Sequence, residues 1–423
     1  MNLNLLSLSD DVLLNILSYL SIKEVTALRR VCRRLHTLSA IRLNNERTFD
    51  NYDCSKNLAK LRFVEENCPN LVSFDMTDVP LNFSKLTIRL RNSFECIRKL
   101  ILCESRDVNN SNIHLIGDCL PNLTVLYLAD LKVTDNGFTS LFSKCERLVE
   151  LKLRRLSFSG SCFAAFRDHL LSLTLTLCDS VTEEGFRCLC DGRGKYLTRF
   201  ELMAVPRGAI NQHIYNQIAA NFRCLKVFKF NVFHDKINAL SLNSFPDLEI
   251  FDLTISHLNF KNDRHINSQM QKIRQINLSI ETFTDKTISH ILTQTPHLEE
   301  LNLWIRDSKM KLNRTLNAIS KLTRLRRLSF HNIYMWLNSI RWTHILQNCP
   351  QIIHFSISHV SSPKFDEIIE YFILNAKKRP KEHFKVSLVL NHRNDRCLHA
   401  PKNLELIINC PTHFEGPRDG INF

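Results

Sequence analysis

The spacing of apolar residues constrains this chain more than any other feature. The pattern apolar-x-x-apolar-x-apolar recurs twelve times, from Leu71-Phe74-Met76 to Ile352-Phe355-Ile357, with starts about 25 residues apart. Well-kept copies are Leu123-Leu126-Leu128, Leu148-Leu151-Leu153, Leu197-Phe200-Leu202 and Leu298-Leu301-Leu303. A sustained period of that length marks a repeat array, in which units stack because none can bury its apolar face alone. The second and third apolar positions alternate with polar ones, which predicts a short strand with one face buried. After Leu173 and Leu175, the residues Val181, Phe186 and Leu189 follow at helical spacing, and Thr182 ahead of Glu183 and Glu184 predicts a helix N-terminus. The expected fold class is therefore α/β, with one strand and one helical stretch per repeat.

Cysteine and proline close several repeats just before the next leucine or isoleucine: Cys68-Pro69, Cys119 with Pro121, Cys145, Cys224, Pro246, Pro296 and Cys349-Pro350. No pair has zinc-ligand spacing, so these cysteines are read as buried filler and no metal is expected. Triplets and cysteines together resemble the cysteine-containing subclass of leucine-rich repeats over residues 71–360. The resemblance implies a solenoid with a curved parallel sheet and helices on its convex side. Residues 46–70 are assigned to a connecting or capping segment. Over 361–423 the period blurs into irregular last repeats and a C-terminal cap or tail, with Val386-Leu388-Leu390 and Leu404-Leu406-Ile408 as last strands.

Ahead of the repeats, Leu13, Ile16, Leu17 and Leu20 fall at i, i+3, i+4 and i+7, so one helix face is apolar. Ser9 followed by Asp10 and Asp11 predicts an N-cap and an acidic first turn, and Ser21-x-x-Glu24 predicts a capping box opening a second helix. Val25, Leu28, Val31, Cys32 and Leu35 carry the apolar face onward. Three short helices in about 40 residues are close to the limit of independent stability. A helical cap for the first repeat would explain them.

The wording of the segment says more. Leu8-Ser9-Asp10-Asp11-Val12-Leu13, then Ile16-Leu17-Ser18-Tyr19-Leu20, then Val31-Cys32-Arg33-Arg34-Leu35 resembles the F-box, and three blocks match in order and spacing. Ser9 stands where the family has proline, Asp11 where it has glutamate, and Leu35 where it has tryptophan. The resemblance assigns residues 1–45 to a small three-helix F-box and implies docking on the Skp-type adaptor of a cullin ubiquitin ligase. Leu8, Ser9, Leu13, Ile16, Leu17, Leu20, Val31, Cys32 and Leu35 would then form the adaptor contact. An F-box followed by leucine-rich repeats is the arrangement of substrate receptors that select a protein for ubiquitination and proteasomal degradation.

Nothing in the sequence offers chemistry of its own. No Walker, H-E-x-x-H or G-x-S-x-G motif is present, and nine glycines in 423 residues leave little for a phosphate-binding loop. No cofactor is expected, and the chain is read as a non-catalytic subunit. Its fifteen cysteines lack any C-x-x-C pair and no apolar run approaches the ~18 residues of a membrane span, so a reduced, intracellular setting away from membranes is expected. Lys377-Lys378-Arg379-Pro380-Lys381 resembles a nuclear-import tag, and cytoplasm and nucleus both remain open.

The formal charge of +14 raises the question of nucleic acid. Residues flanking the second and third apolar positions should line the concave face, and there Lys99, Lys152, Arg154, Arg199, Lys229 and Arg327 are offset by Asp75, Glu150, Glu201, Asp252 and Glu300. A groove that follows a phosphate backbone would concentrate lysine and arginine, so a protein partner is expected in place of nucleic acid. Tyr127 and Trp304 are predicted to stand on this face with Lys152, Arg154, Arg199, Glu201, Lys229, Arg327, His331 and His354. Together they are expected to form a substrate surface with aromatic and arginine anchors.

Overall fold

A computed structural model describes residues 5–49, 58–77, 95–191, 194–204, 211–237, 242–258, 270–282, 284–305, 312–332, 342–360, 362–390 and 400–409. The chain divides into two compact units, one of Met1–Arg199 with Met203–Ala209, the other of Phe200–Leu202 with Ile210–Phe423.

The first unit opens with three helices: α1 (Asp10–Ser18), α2 (Ile22–Leu28) and α3 (Arg33–Asn44). Each begins where its capping residue dictates. Ser9 accepts from the Val12 N–H, and Ser21 and Glu24 make the expected reciprocal capping box. Cys32 caps α3, its sulfur accepting from the Leu35 N–H at 3.4 Å. Leu13, Leu17 and Leu38 form the core between α1 and α3, with Leu8, Leu14, Leu20 and Leu28 packed around it. Arg34 fastens the leading segment to α3 through the Leu6 and Leu8 carbonyls and the Asp10 carboxylate.

Strands then follow in chain order. In the first unit they are β1 (Thr48–Phe49), β2 (Ser73–Asp75), β3 (Lys99–Cys103), β4 (Val125–Ala129), β5 (Glu150–Arg154) and β6 (Ser172–Thr176). β7 (Arg199–Met203) is followed in the second unit by β8 (Val227–Ile237), β9 (Ile250–Leu258), β10 (Gln275–Thr282), β11 (Glu300–Ile305), β12 (Arg327–Asn332), β13 (His354–Val360), β14 (Phe384–Leu390) and β15 (Leu404–Asn409). Neighbouring strands pair in parallel from β1 to β6 and again from β8 to β15. Both ends of the repeat region are longer than the triplet count implied. Residues 46–70 supply β1 and a helix, Leu58–Asn67, and so already form a repeat whose strand is too short to carry the full triplet. At the other end, the 17-residue helix Ser362–Lys378 leads to β14 and β15, which contain the triplets Val386-Leu388-Leu390 and Leu404-Leu406-Ile408 expected as last strands. Residues 410–423 lie outside the described part.

Register explains the triplet. Leu100, Leu126, Leu151 and Leu173 stand side by side on neighbouring strands, as do Leu102, Leu128, Leu153 and Leu175, and all are buried. In the second unit Phe251, Ile276, Leu301, Leu328 and Phe355 form the equivalent row. The closing position lies three residues before the first apolar residue, whose N–H bonds the closing residue's carbonyl in repeats such as those of Leu123, Leu148 and Ile352. Cys145 and Cys349 occupy it, and so do Leu120, Phe222, Phe245, Thr295 and Leu322. Cys224 is therefore not filler as expected: it is exposed, and Phe222 holds the buried place. Cys119 is likewise displaced by Leu120.

The first unit shows a second periodic device. Glu104, Asp130, Arg155, Leu177 and Ala204, each just past a strand, take the left-handed conformation. Glu104, Asp130, Arg155 and Leu177 each donate their N–H to a carbonyl at the end of the following strand, at 2.9–3.1 Å. Bonds between repeats thus offset a backbone cost of roughly 1–2 kcal/mol per residue. Repeats also meet closely at Gly160 (φ 95°) and Gly185, where a Cβ on Gly185 would overlap the Ser159 carbonyl oxygen. Asp135 ties this corner: its carboxylate accepts from the N–H groups of Ser159, Gly160 and Cys162 at 2.6, 2.9 and 3.1 Å.

Leu301 is fully buried in its row, so Leu301→Ala should cost roughly 2–5 kcal/mol as a cavity, read as a lower urea midpoint at unchanged slope. For Asp135, burial opposes ionisation, but the three N–H bonds win and hold the carboxyl below its ordinary value. Its stabilisation is therefore complete above the unfolded-state value of about 3.9 and is lost as pH falls through the lower folded-state value. Asp135→Asn should melt early at pH 7, and the gap to the native protein should narrow as the pH drops below the unfolded-state value of about 3.9.

Candidate functional site

Two kinds of surface offer themselves. The first is on the helices. α1 carries two apolar stripes, not one. Leu13 and Leu17, with 1% and 2% exposure, lie inside, whereas Val12, Ile16 and Tyr19, also at helical spacing, face outward. Tyr19 is 83% exposed and Val31, past the end of α2, 64%. Leu5 and Leu6 add to the exposed apolar set. Apolar side chains displayed in a group, on a segment with so little core, mark a surface made to be covered.

The residues expected at the adaptor contact divide by exposure. Leu13, Leu17 and Leu35 are buried within the helices. Leu8, Leu20 and Cys32 are half-buried, the first two against the core and Cys32 as a helix cap. Ser9, Ile16 and Val31 stay exposed. Val12 and Tyr19, not singled out from the sequence, are exposed too, although V-L-L-N-I-L-S-Y-L holds both stripes in its spelling. Spacing alone could not say which stripe faced inward.

The second surface is the polar face of the strands, and the ten residues expected there are divided between the two units. Tyr127, Lys152, Arg154 and Arg199 belong to the first unit, and Glu201, Lys229, Trp304, Arg327, His331 and His354 to the second. In the first, Tyr127 stands beside Lys152, which pairs with Glu150 at 2.9 Å, and the nearby Arg154 cation favours the ionised Tyr127 hydroxyl. Burial pushes the Tyr127 hydroxyl above its ordinary pKa. Arg199 is half-buried, two positions along the chain from Glu201.

In the second unit Lys229 pairs with Glu201 at 3.3 Å, and Arg327 with Glu300 at 2.8 Å. Trp304 is half-buried and stacks on His331 with ring centroids 4.3 Å apart and planes at 26°. His331 Nε2 lies 3.4 Å from the Ser356 hydroxyl. His354 stands next to Arg327 and Lys385 in register; burial and those two cations hold its pKa below the usual histidine value. Sequence reading placed Asp252 on this face but did not single out Asn277 and Asn302, which lie in register with it. Their period was visible, but short polar residues between buried leucines look like ordinary solvated positions.

The remaining features do not offer reaction chemistry among the described residues. Burial raises the thiols of Cys103, Cys178 and Cys349 to about 11 and those of Cys145 and Cys190 to about 12, which makes them poor nucleophiles at neutral pH. The basic run near residue 380 is not an extended tag. Lys377 and Lys378 end a helix, and Arg379 is held by the Pro350 carbonyl, the Glu382 carboxylate and the Phe384 ring. No described helix is long and apolar enough to cross a membrane.

Comparison with known proteins agrees with the helical segment. The F-box domain family matches residues 5–46. DNA repair protein rhp7 of Schizosaccharomyces pombe is 28% identical over 301 residues, 60% of this chain. The chain spans about half the length of that relative, 52%. Among solved structures, the Rad7 and Elc1 complex of yeast is similar at 15% identity and a TM-score of 0.49, covering 94% of this chain and 90% of that one. An internalin of Listeria monocytogenes is similar at 16% identity and a TM-score of 0.45, covering 92% and 89%. Residues 5–46 thus match the F-box domain, and the capped helices there precede parallel strands set at a leucine-rich period.

Proposed function

We propose that this chain is the substrate-recognition subunit of a Skp–cullin–F-box ubiquitin ligase. The observation that carries the reading is the outward stripe of α1. Val12, Ile16 and Tyr19 with Val31 present an apolar surface that the three-helix core neither needs nor covers, within a segment matched by the F-box family. A Skp-type adaptor docked there would link the chain to a cullin scaffold, and the polar faces of the repeats would hold a protein for ubiquitination and proteasomal degradation. Transfer chemistry would belong to the other subunits. Ser9 and Leu35 fit this division of labour: Ser9 caps α1 and Leu35 fills the interior, so neither departure from the family pattern removes the outward stripe.

Similarity to a protein named for DNA repair supports a nuclear setting and a substrate among repair proteins. A scaffold that binds adaptor without promoting degradation is the competing reading.

Copurification from cells with the proteasome blocked tests both. The expected result is adaptor and cullin together with accumulating ubiquitylated partners; adaptor without cullin would leave the scaffold reading. Tyr19→Asp combined with Val31→Asp should reduce adaptor capture by roughly tenfold or more while the melting temperature holds, since both side chains are exposed. Leu17→Asp should instead unfold the helices by burying a charge. Full capture by the doubly substituted chain would remove the docking assignment.

A further inference from the structure

On the polar face of the second unit, three side chains form a hydrogen-bond chain with a fixed direction. Asp252, Asn277 and Asn302 are aligned by register across β9, β10 and β11. The Asp252 carboxylate only accepts, so Asn277 must offer its Nδ2, at 3.0 Å. That choice turns the Asn277 Oδ1 into the acceptor for the Asn302 Nδ2, at 2.6 Å. The Asn302 Oδ1 is left as the acceptor end, with no hydrogen-bond partner among the described residues. Bonds in such a chain polarise one another, and a carboxylate at its head strengthens the acceptor at its tail.

Two positions further along the same strands, Ser279, Trp304 and His331 are in register. His331 stacks on the indole. On the opposite side the neighbour is Ser279, whose side chain is too small to cover an aromatic face. The local charge is slightly acidic, with Glu201, Asp252 and Glu300 against Lys229 and Arg327, and both cations already pair with carboxylates. Phosphate is therefore not the group this face fits. A polarised acceptor beside an open indole suits a planar cation rich in N–H donors. Arginine is the side chain that both stacks on an indole and donates in its own plane. Asn302 and Trp304 lie about 7 Å apart along the strand, within the span of one arginine side chain.

We infer that the second unit's polar face recognises a protein segment through an arginine laid on Trp304, with its guanidinium donating to the Asn302 Oδ1. The inference rests on the reading that the repeats hold a protein substrate, and it names the residue class selected. It also replaces the anionic partner that a net charge of +14 would suggest with a cationic one at this place.

The test uses the full chain and fluorescent octapeptide mixtures in which the central residue is fixed as Arg, Lys, Glu or Leu and the flanks vary among neutral residues. Binding is read by anisotropy. The Arg mixture should bind roughly tenfold tighter than the Glu mixture, with Lys between them. Trp304→Leu and Asn302→Leu should each abolish the preference. Asp252→Asn, which frees the Asn277 amide to turn over, should weaken the preference while melting stays close to the native value. Equal binding of all mixtures, a preference that survives Trp304→Leu, or tighter binding of an oligonucleotide or oligosaccharide would overturn the inference. Adaptor capture measured on the same variants separates the two claims: capture without arginine preference sinks this one alone, and arginine preference without capture sinks only the ligase reading.

Discussion

Everything in the repeat region depends on side chains that can be buried only against a neighbouring repeat. A strand of five residues such as β4 or β5 cannot shield its two leucines by itself. Placed in register with Leu100 and Leu102 on one side and Leu151 and Leu153 on the other, Leu126 and Leu128 lose nearly all contact with water. The parallel ladder follows from that constraint, and so does its regularity, since a slip of one residue would turn each leucine out and each polar residue in. The left-handed residues after β3 to β7 and the closing residue before each first leucine repeat because the stacking does.

The same alternation creates a polar face. With every second strand residue committed to the core, most of the intervening ones are less tightly packed. They include Tyr127 near Arg154 in the first unit, and in the second a carboxylate–amide row beside a tryptophan stacked on histidine. Their mutual positions are fixed by the ladder beneath them, so a small polar group gains directionality it would lack on a loop. The F-box helices face the opposite problem. Their core of Leu13, Leu17 and Leu38 is small, and they gain support within the first unit through Arg29, which bonds Asn67 at 2.6 Å and lies over the Phe63 ring.

Much of this was legible in the chain itself, for a physical reason. Periodicity is a property of sequence, and a period near 25 with alternating apolar residues admits few solutions other than stacked strand-and-helix units. Capping is equally local: Ser21 and Glu24 declare the start of α2 because the bonds they make lie within four residues of each other. The ends of the array were less legible, because β1 has only two residues and β14 and β15 are separated by 391–399, which holds no triplet to mark the period. Cysteine filler was read by residue type when position was what mattered; Phe222 and Thr295 fill the same closing place as Cys145.

What the sequence alone determined is the α/β class of the repeats, which rests on short-range spacing, and, through motifs that resemble known families, the expectation of parallel repeats and an F-box. What only the tertiary structure decided is which residues remain available to a partner. Leu13 and Val12 are neighbours with nearly equal hydrophobicity, yet one is buried and the other displayed, because the position of α3 selects the stripe that turns inward. Asn277 and Asn302 lie 25 residues apart and acquire a donor and an acceptor end only once Asp252 is set beside them. Direction in a hydrogen-bond chain and the choice between two apolar faces both depend on residues distant in the chain, and only the folded arrangement brings those residues into contact.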